Sequence, residues 1–548
     1  MMRLNKFSLF LVFFLFTFSS FAQSNNYFYG SFESNGVYYQ ESESTDYDKK
    51  FASNTYLNLK YNLNNKWVFD LQTETYLPKQ LQNYSDLLED TFVSTFSINF
   101  NTNNFNFTAG TIYEQFGSGI LLRTWEDRQL GINNSLWGLR SSYKKQNLRL
   151  VLLGGYQKKA NTISEGKVFG FDSEFTVYDK KDSYSNLLVG LSYLGRLEAP
   201  HYVSYPFEDL TNSFSARIDY NSDNFYLNYE YAHKSEDGVV KFNVVSETFI
   251  KSGNAHQVNA GLIKDGLGLD FTFRRLENMG FYSERVEFGS PFFETTLNYL
   301  PALTKQHDYL LTNINVYQSQ PNISFQDPSL MKAGEIGFQL DAYYNIKKET
   351  FLGGKYGAKI SLNISKWNNL KGNYDYESED YDLDFLGFGE KYFSEQSLEI
   401  RKRWSQNFNN IILFVNRYYN KRFVEEKVGE INSKMLVFDN TLKLNGEKSA
   451  RFEIQHLFTE DDKKNWFGYG LEYNFSYNFS AYFNSIVNYE NELEDKPTYS
   501  NFGLSFSKNA SKFMLSYGKQ RGGLMCYGGV CRYVPEFKGL SFSIITSF

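Results

Sequence analysis

Apolar and polar residues alternate along most of the chain. From Leu57 the residues LNLKYNL, NNK and WVFDLQTETYL put Leu57, Leu59, Tyr61, Leu63, Trp67, Phe69 and Leu71 at one parity, with Asn58, Lys60, Asn62, Asp70, Gln72 and Glu74 at the other. Successive side chains of a strand point to opposite faces, so this predicts two half-apolar strands joined by a tight turn. The pattern recurs where Phe92, Phe96, Ile98 and Phe100 turn through NTNN into Phe105, Phe107 and Ala109, and where Phe214 to Tyr220 turn through NSDN into Phe225 to Tyr231. Later copies pair 438–444 with 450–454 and 467–475 with 479–487. Longer polar loops fall at 78–91, 114–135, 234–254, 276–334 and 366–396. Tight turns on one side and long loops on the other predict one large antiparallel transmembrane β-barrel with short periplasmic turns and long extracellular loops, of about 24 strands (22–26). Proline cannot donate a ladder hydrogen bond, and all nine prolines fall outside the expected strands and short turns.

Composition sharpens this picture. The chain is 19% aromatic, with 43 Tyr and 53 Phe, yet its mean hydropathy is −0.47. Aromatic faces alternating with polar ones suit a barrel wet inside and greasy outside. A soluble β-sandwich or β-helix would also alternate, but the two chain ends favour the membrane. Arg3 and Lys6 precede an apolar run ending in Ser20-Phe21-Ala22, a secretory signal peptide over 1–22 that leaves a mature barrel over 23–548. Removing Arg3 and Lys6 takes the net charge of −6 to −8. A mildly acidic chain without a basic stripe gives no reason to expect nucleic acid as a partner, and no later stretch has the 18 or more apolar residues of a membrane helix. The last residues, GLSFSIITSF, form a strand closing on Phe548, like the final strand of bacterial outer-membrane barrels.

The only cysteines, Cys526 and Cys531, lie in the last long loop, 521–536. Structural zinc takes four Cys or His ligands and no His is near; a redox motif would be Cys-x-x-Cys, whereas four residues intervene here. Gly528-Gly529 is a turn dipeptide, and the periplasm is oxidising. A disulfide is therefore expected, pinning the loop with roughly 2 kcal/mol.

Three stretches, YEQFGSGILLRTWEDRQLGINNSLWGLR from Tyr113, YLPALTKQHDYLLTNI from Tyr299 and RGGLMCYGGVCRYVPEFKG from Arg521, resemble an uncharacterised family of outer-membrane β-barrels of Bacteroidota bacteria. The resemblance spans nearly the whole mature chain. It implies a barrel in the outer membrane of a Gram-negative cell and supplies no catalytic residues.

Two loops attract functional expectations. Loop 114–135 carries Glu114, Arg123, Glu126, Asp127 and Arg128 among glycines; folded into the lumen, facing charges would form a selective constriction, or else simply tie the loop to the wall. Segment 276–334 is too long for a plain connection and too apolar for disorder, so it folds into the barrel or onto a partner, with Lys305, Gln306 and His307 as its polar contacts. The five histidines are His201, His233, His256, His307 and His456. His233 and His256 flank loop 234–254 with Glu236 and Asp237, yet no nucleophile–base arrangement is legible, so no enzymatic activity, cofactor or metal is expected. Nor does a separate N-terminal plug domain precede the first strand near Tyr27, which disfavours TonB-dependent transport. What remains is a barrel embedded in outer-membrane lipid that anchors a cell-surface complex, with a surface lipoprotein or second outer-membrane protein as partner, or a porin-like channel for small polar solutes. The position of segment 276–334, in the lumen or outside it, separates the two.

Overall fold

The computed structural model describes residues 26–42, 50–82, 84–180, 185–198, 208–241, 244–285, 295–492, 496–527 and 530–548, and over 525–532 the backbone alone. The expected signal peptide and His201 lie outside the described residues. A single antiparallel sheet of 24 strands runs from Tyr27–Ser42 to Phe537–Ser547. It closes on itself, because the first strand pairs with the last: Ser31 opposes Ser547 and Val37 opposes Ser541. Closure leaves no unpaired edge in the sheet. Phe548 completes the seam, exchanging backbone hydrogen bonds with Gly30 at 2.8 and 3.0 Å. A Cβ on Gly30 would meet the Phe548 ring at 2.7 Å, so glycine makes room for the terminal aromatic.

The alternation sets the register. Leu59 pairs with Leu71 and Tyr61 with Phe69; Phe69 in turn pairs with Ile98 and Trp67 with Phe100, and Ile98 with Ala109. One apolar face thus continues from strand to strand, and it is the outer one: Val93, Trp137, Leu139, Leu152, Leu191 and Phe214 are all exposed there. Such a contiguous apolar exterior is the surface a bilayer covers.

One rim carries Asn26, the terminal Phe548 and most of the tight turns, as at 64–66, where Asn64 and Asn65 take φ of 55° and 56°, the left-handed geometry that asparagine tolerates in hairpin turns. Only 347–357 is longer on this side among the described turns. The opposite rim carries 77–89, 113–135, 278–333, 421–429 and 521–536. Every described proline (Pro78, Pro301, Pro321, Pro328, Pro497 and Pro535) lies outside the strands.

Two expected loops are strands instead. The described residues of 234–254 belong to the hairpin of Phe225–Lys241 and Val244–Lys264, and 366–396 to that of Ala358–Asp375 and Asp380–Arg403. Both hairpins run on past the apolar band, where neither face needs to be apolar and alternation is lost while backbone pairing persists, as between Gly238 and Ile250. Their tips are joined by Lys241 to Glu379, with Thr248 Oγ1 donating to the same carboxylate at 2.9 Å.

Candidate functional site

Inside the barrel, strand residues at the inward parity are buried under two long-rim segments. On the strand Phe408–Asn420, Leu413 and Val415 are fully buried while Phe414 between them is exposed outward. On the next strand, Glu430–Lys443, Met435 and Val437 repeat this. These inward residues pack on Tyr309, Leu311 and Ile314, so the described part of segment 278–333 occupies the lumen.

A polar latch holds that segment down. Arg417, buried on the inner wall, donates from Nε to Glu395 at 2.7 Å and from Nη1 to the carbonyls of Thr312 at 2.9 Å and Ile314 at 2.6 Å. The other Glu395 oxygen lies 3.2 Å from His307 Nε2. Further round the wall, Leu311 N donates to Gln455 at 2.9 Å and Trp367 Nε1 to the Leu303 carbonyl at 3.0 Å. A second buried pair, Arg274 and Glu335 at 2.7 Å, takes Tyr317 Oη at 2.6 Å and the Pro301 carbonyl at 2.8 Å. On the far side Gln157 and Asn134 both donate to the Thr296 carbonyl, at 2.7 and 2.8 Å. The segment therefore spans the lumen from one wall to the other.

Segment 113–135 forms the second part of the plug. Phe116, Ile120, Leu121 and Leu122 enter one apolar cluster with Met279, Phe281 and Leu297 of the longer segment, and Arg123 N donates to the Leu297 carbonyl at 2.8 Å. Gly117, at φ 52°, lets Ser118 N reach Glu230 at 2.9 Å; a Cβ there would stand 2.8 Å from that carboxylate.

The singled-out charges of this segment have individual partners. Glu114 pairs with Arg140 and, at 3.4 Å, with Arg149 on the wall. Arg128 reaches the neighbouring stretch of wall formed by the first three strands, to Glu33 at 3.0 Å, Asn58 and Gln72 at 3.2 Å, and lies over the Tyr56 ring. Glu126 accepts from Gln72 at 2.8 Å and from Arg128 at 3.1 Å. Asp127 accepts the backbone N–H of Gln129 and Leu130, an Asx turn, and the Arg123 guanidinium lies 5.3 Å from the Tyr299 ring centre. In the longer segment His307 is buried in the latch, whereas Lys305, paired with Asp341 at 3.1 Å, and Gln306 are exposed. Below segment 113–135, a water-accessible cavity of about 550 Å³ is walled by Ser97, Asn99, Thr108 and the pair Lys60–Asp70.

His233 and His256 lie on the outer face, their rings tilted against those of Phe214 and Tyr231, while Asp237 points inward to Arg196 and Arg285; they form no common site. Cys526 and Cys531 stand directly opposite in a hairpin, Gly523–Tyr527 with Val530–Val534. Sequence reasoning missed the latch and the apolar wall. Their signal was the unbroken apolar run Ile411-Ile412-Leu413-Phe414-Val415, which departs from alternation where both faces are covered.

Among solved structures the chain is similar to the translocation pore of the P pilus usher PapC, at 9% identity over 95% of this chain and 99% of that one, with a TM-score of 0.41. It is similar too to the siderophore receptor PirA of Pseudomonas aeruginosa, at 8% identity over 95% and 80% with a TM-score of 0.40, and to OccK5 (OpdH) of the same species, at 12% over 79% and 98% with 0.37. No curated protein matches it. A family model covers residues 2–548, and the chain belongs to that family, DUF6029, a family of unknown function.

Proposed function

We propose that the protein is a non-enzymatic barrel of the Gram-negative outer membrane, closed by its own segments 113–135 and 278–333, whose long-loop rim anchors a cell-surface protein complex. The observation that carries this reading is the latch of Arg417, Glu395 and His307 within continuous apolar packing, which commits the lumen to holding structure. A plug of that kind opposes passive diffusion. It also uses the apolar side chains of 278–333 internally, so docking falls to the rim instead. There Lys427 of 421–429 meets Tyr533 of the 521–536 hairpin at 2.5 Å, beside exposed Val428. Opposed Cys526 and Cys531 support a disulfide that keeps this hairpin rigid for a partner such as a surface lipoprotein or a second outer-membrane protein. The test is recovery of the tagged protein from native outer membranes in mild detergent with quantitative mass spectrometry. A stoichiometric surface protein, lost when 523–534 is shortened to a two-residue turn, is the expected result; the barrel recovered alone refutes the platform.

A second reading rests on the polar cavity below the plug. Its wall suits small polar solutes, and displacement of the plug by a partner would turn the barrel into a gated conduit.

A further inference from the structure

The plug encloses a second cavity, of about 380 Å³, towards the long-loop rim. Arg196, Lys234 and Asn298 line it and are buried, whereas Gln326 and Glu426, also on its lining, are exposed, so it opens at that rim. Its charges fall into two groups. Arg196 and Arg285 both bind Asp237 and both approach Glu198, at 3.7 and 3.2 Å, so two guanidinium ions face two carboxylates. Lys234 and Lys332 differ. Lys234 Nζ donates to the Gly280 carbonyl at 2.8 Å, and Lys332 Nζ to Gln320 Oε1 at 2.9 Å and the Phe423 carbonyl at 3.0 Å, so neither ammonium hydrogen-bonds a carboxylate among the described residues. Both lysines are more than nine-tenths buried, at 4% and 8% exposure.

A buried ammonium with no hydrogen-bonded counter-ion is costly, although Asp237 acts favourably on Lys234 through space. Burial pulls the Lys332 pKa down, against a smaller opposing effect of Glu426. An independent feature marks the same cavity: the Tyr299 hydroxyl, on its lining, is buried and has no hydrogen-bond partner among the described residues. Buried polar groups nearly always have one. Two ammonium groups, an unused hydroxyl and the carboxamides of Gln318 and Gln320 in a space of this size suit a compact anion bearing hydroxyls.

We propose that this cavity binds a small hydroxylated organic anion of the sugar-acid class, its anionic group between Lys234 and Lys332 and a hydroxyl at Tyr299. The site shares segment 421–429 with the rim surface of the platform reading, but it is read by ligand affinity and not by partner recovery, so either can fail while the other stands.

The test is calorimetric titration of the full-length protein in detergent with glucuronate and gluconate, and with glucose as the neutral control. Variants are Lys332→Gln, Lys234→Gln, Lys332→Arg and Tyr299→Phe, with native folding of each checked by heat-modifiable electrophoretic mobility. At least one anion is expected to bind saturably and glucose at least about tenfold more weakly, with Lys332→Gln or Lys234→Gln losing about tenfold or more and Lys332→Arg retaining most affinity, as for hydrogen bonds to charged groups. Raised salt should weaken binding in the wild type alone of the wild type and Lys332→Gln pair. Absence of saturable binding by either anion, glucose binding equal to theirs, or affinities indifferent to both lysines overturns the proposal; Tyr299→Phe unchanged removes the hydroxyl contact from it.

Discussion

At the scale of single residues, Arg417 organises the plug. Guanidinium offers five donors in a fixed fork and keeps its proton in proteins, and here the fork serves a carboxylate and the carbonyls of a turn at once. Arg417→Ala leaves Glu395 buried with only His307 beside it, and unpairing a buried charge costs about 3–5 kcal/mol. The expected outcome is a folded barrel with a lower urea midpoint and early protease cleavage within 303–316; wild-type protection of that stretch would mean that apolar packing alone holds it. Gly117→Ala acts on the other segment. The new methyl meets the Glu230 carboxylate at 2.8 Å in a left-handed backbone, and cleavage within 113–125 at a protease dose the wild type withstands is the expected result.

At the scale of elements, the two projecting hairpins depend on pH. The hydrogen bond from Lys241 holds the Glu379 pKa below the ordinary carboxylate range, with desolvation opposing it and Thr248 assisting. The folded-state value is the lower one, so the link is complete above the ordinary glutamate value and is lost as pH falls through the folded one. Amide exchange at the tips around 241–248 and 376–381 should accelerate below about pH 4 relative to neutral pH, beyond the intrinsic effect of pH, while strand interiors stay protected; Glu379→Gln should remove this difference. These hairpins also show where sequence legibility ended. Within the apolar band, period-two alternation made the strands and their outward residues readable, down to the pairing of Tyr61 with Phe69. Beyond it, Ser235-Glu236-Asp237-Gly238 looks like a loop, although backbone pairing continues there. The plug was legible as a long apolar insertion, and three of its polar residues could be named, but of these only His307 joins the latch. Its partners Glu395 and Arg417 lie far along the chain on strands whose inward positions carry no local mark of what covers them.

At the scale of the whole molecule, the plug is an internal loop tethered to adjacent strands at Glu277 and Gly334, so it can shift but cannot leave. Conduction therefore separates the two functional readings. The wall below it is polar and wide, with about 550 Å³ open beneath segment 113–135, and a barrel of 24 strands is wide enough for an aqueous channel once nothing fills it. Replacing 303–316 by a short Gly-Ser linker removes Tyr309, Leu311 and Ile314 from the wall along with the acceptors of Arg417, while leaving the strand ladder untouched. In planar bilayers the wild type should be electrically silent and this variant should give stable, large single-channel steps. Steps of equal size from the wild type would mean that a path already passes beside the plug, and the protein would then be a channel. Silence from both would place the barrier in segment 113–135, whose anchors Glu114 and Arg128 grip two separate stretches of the wall, and neutralising Arg128 in the shortened variant should then open it.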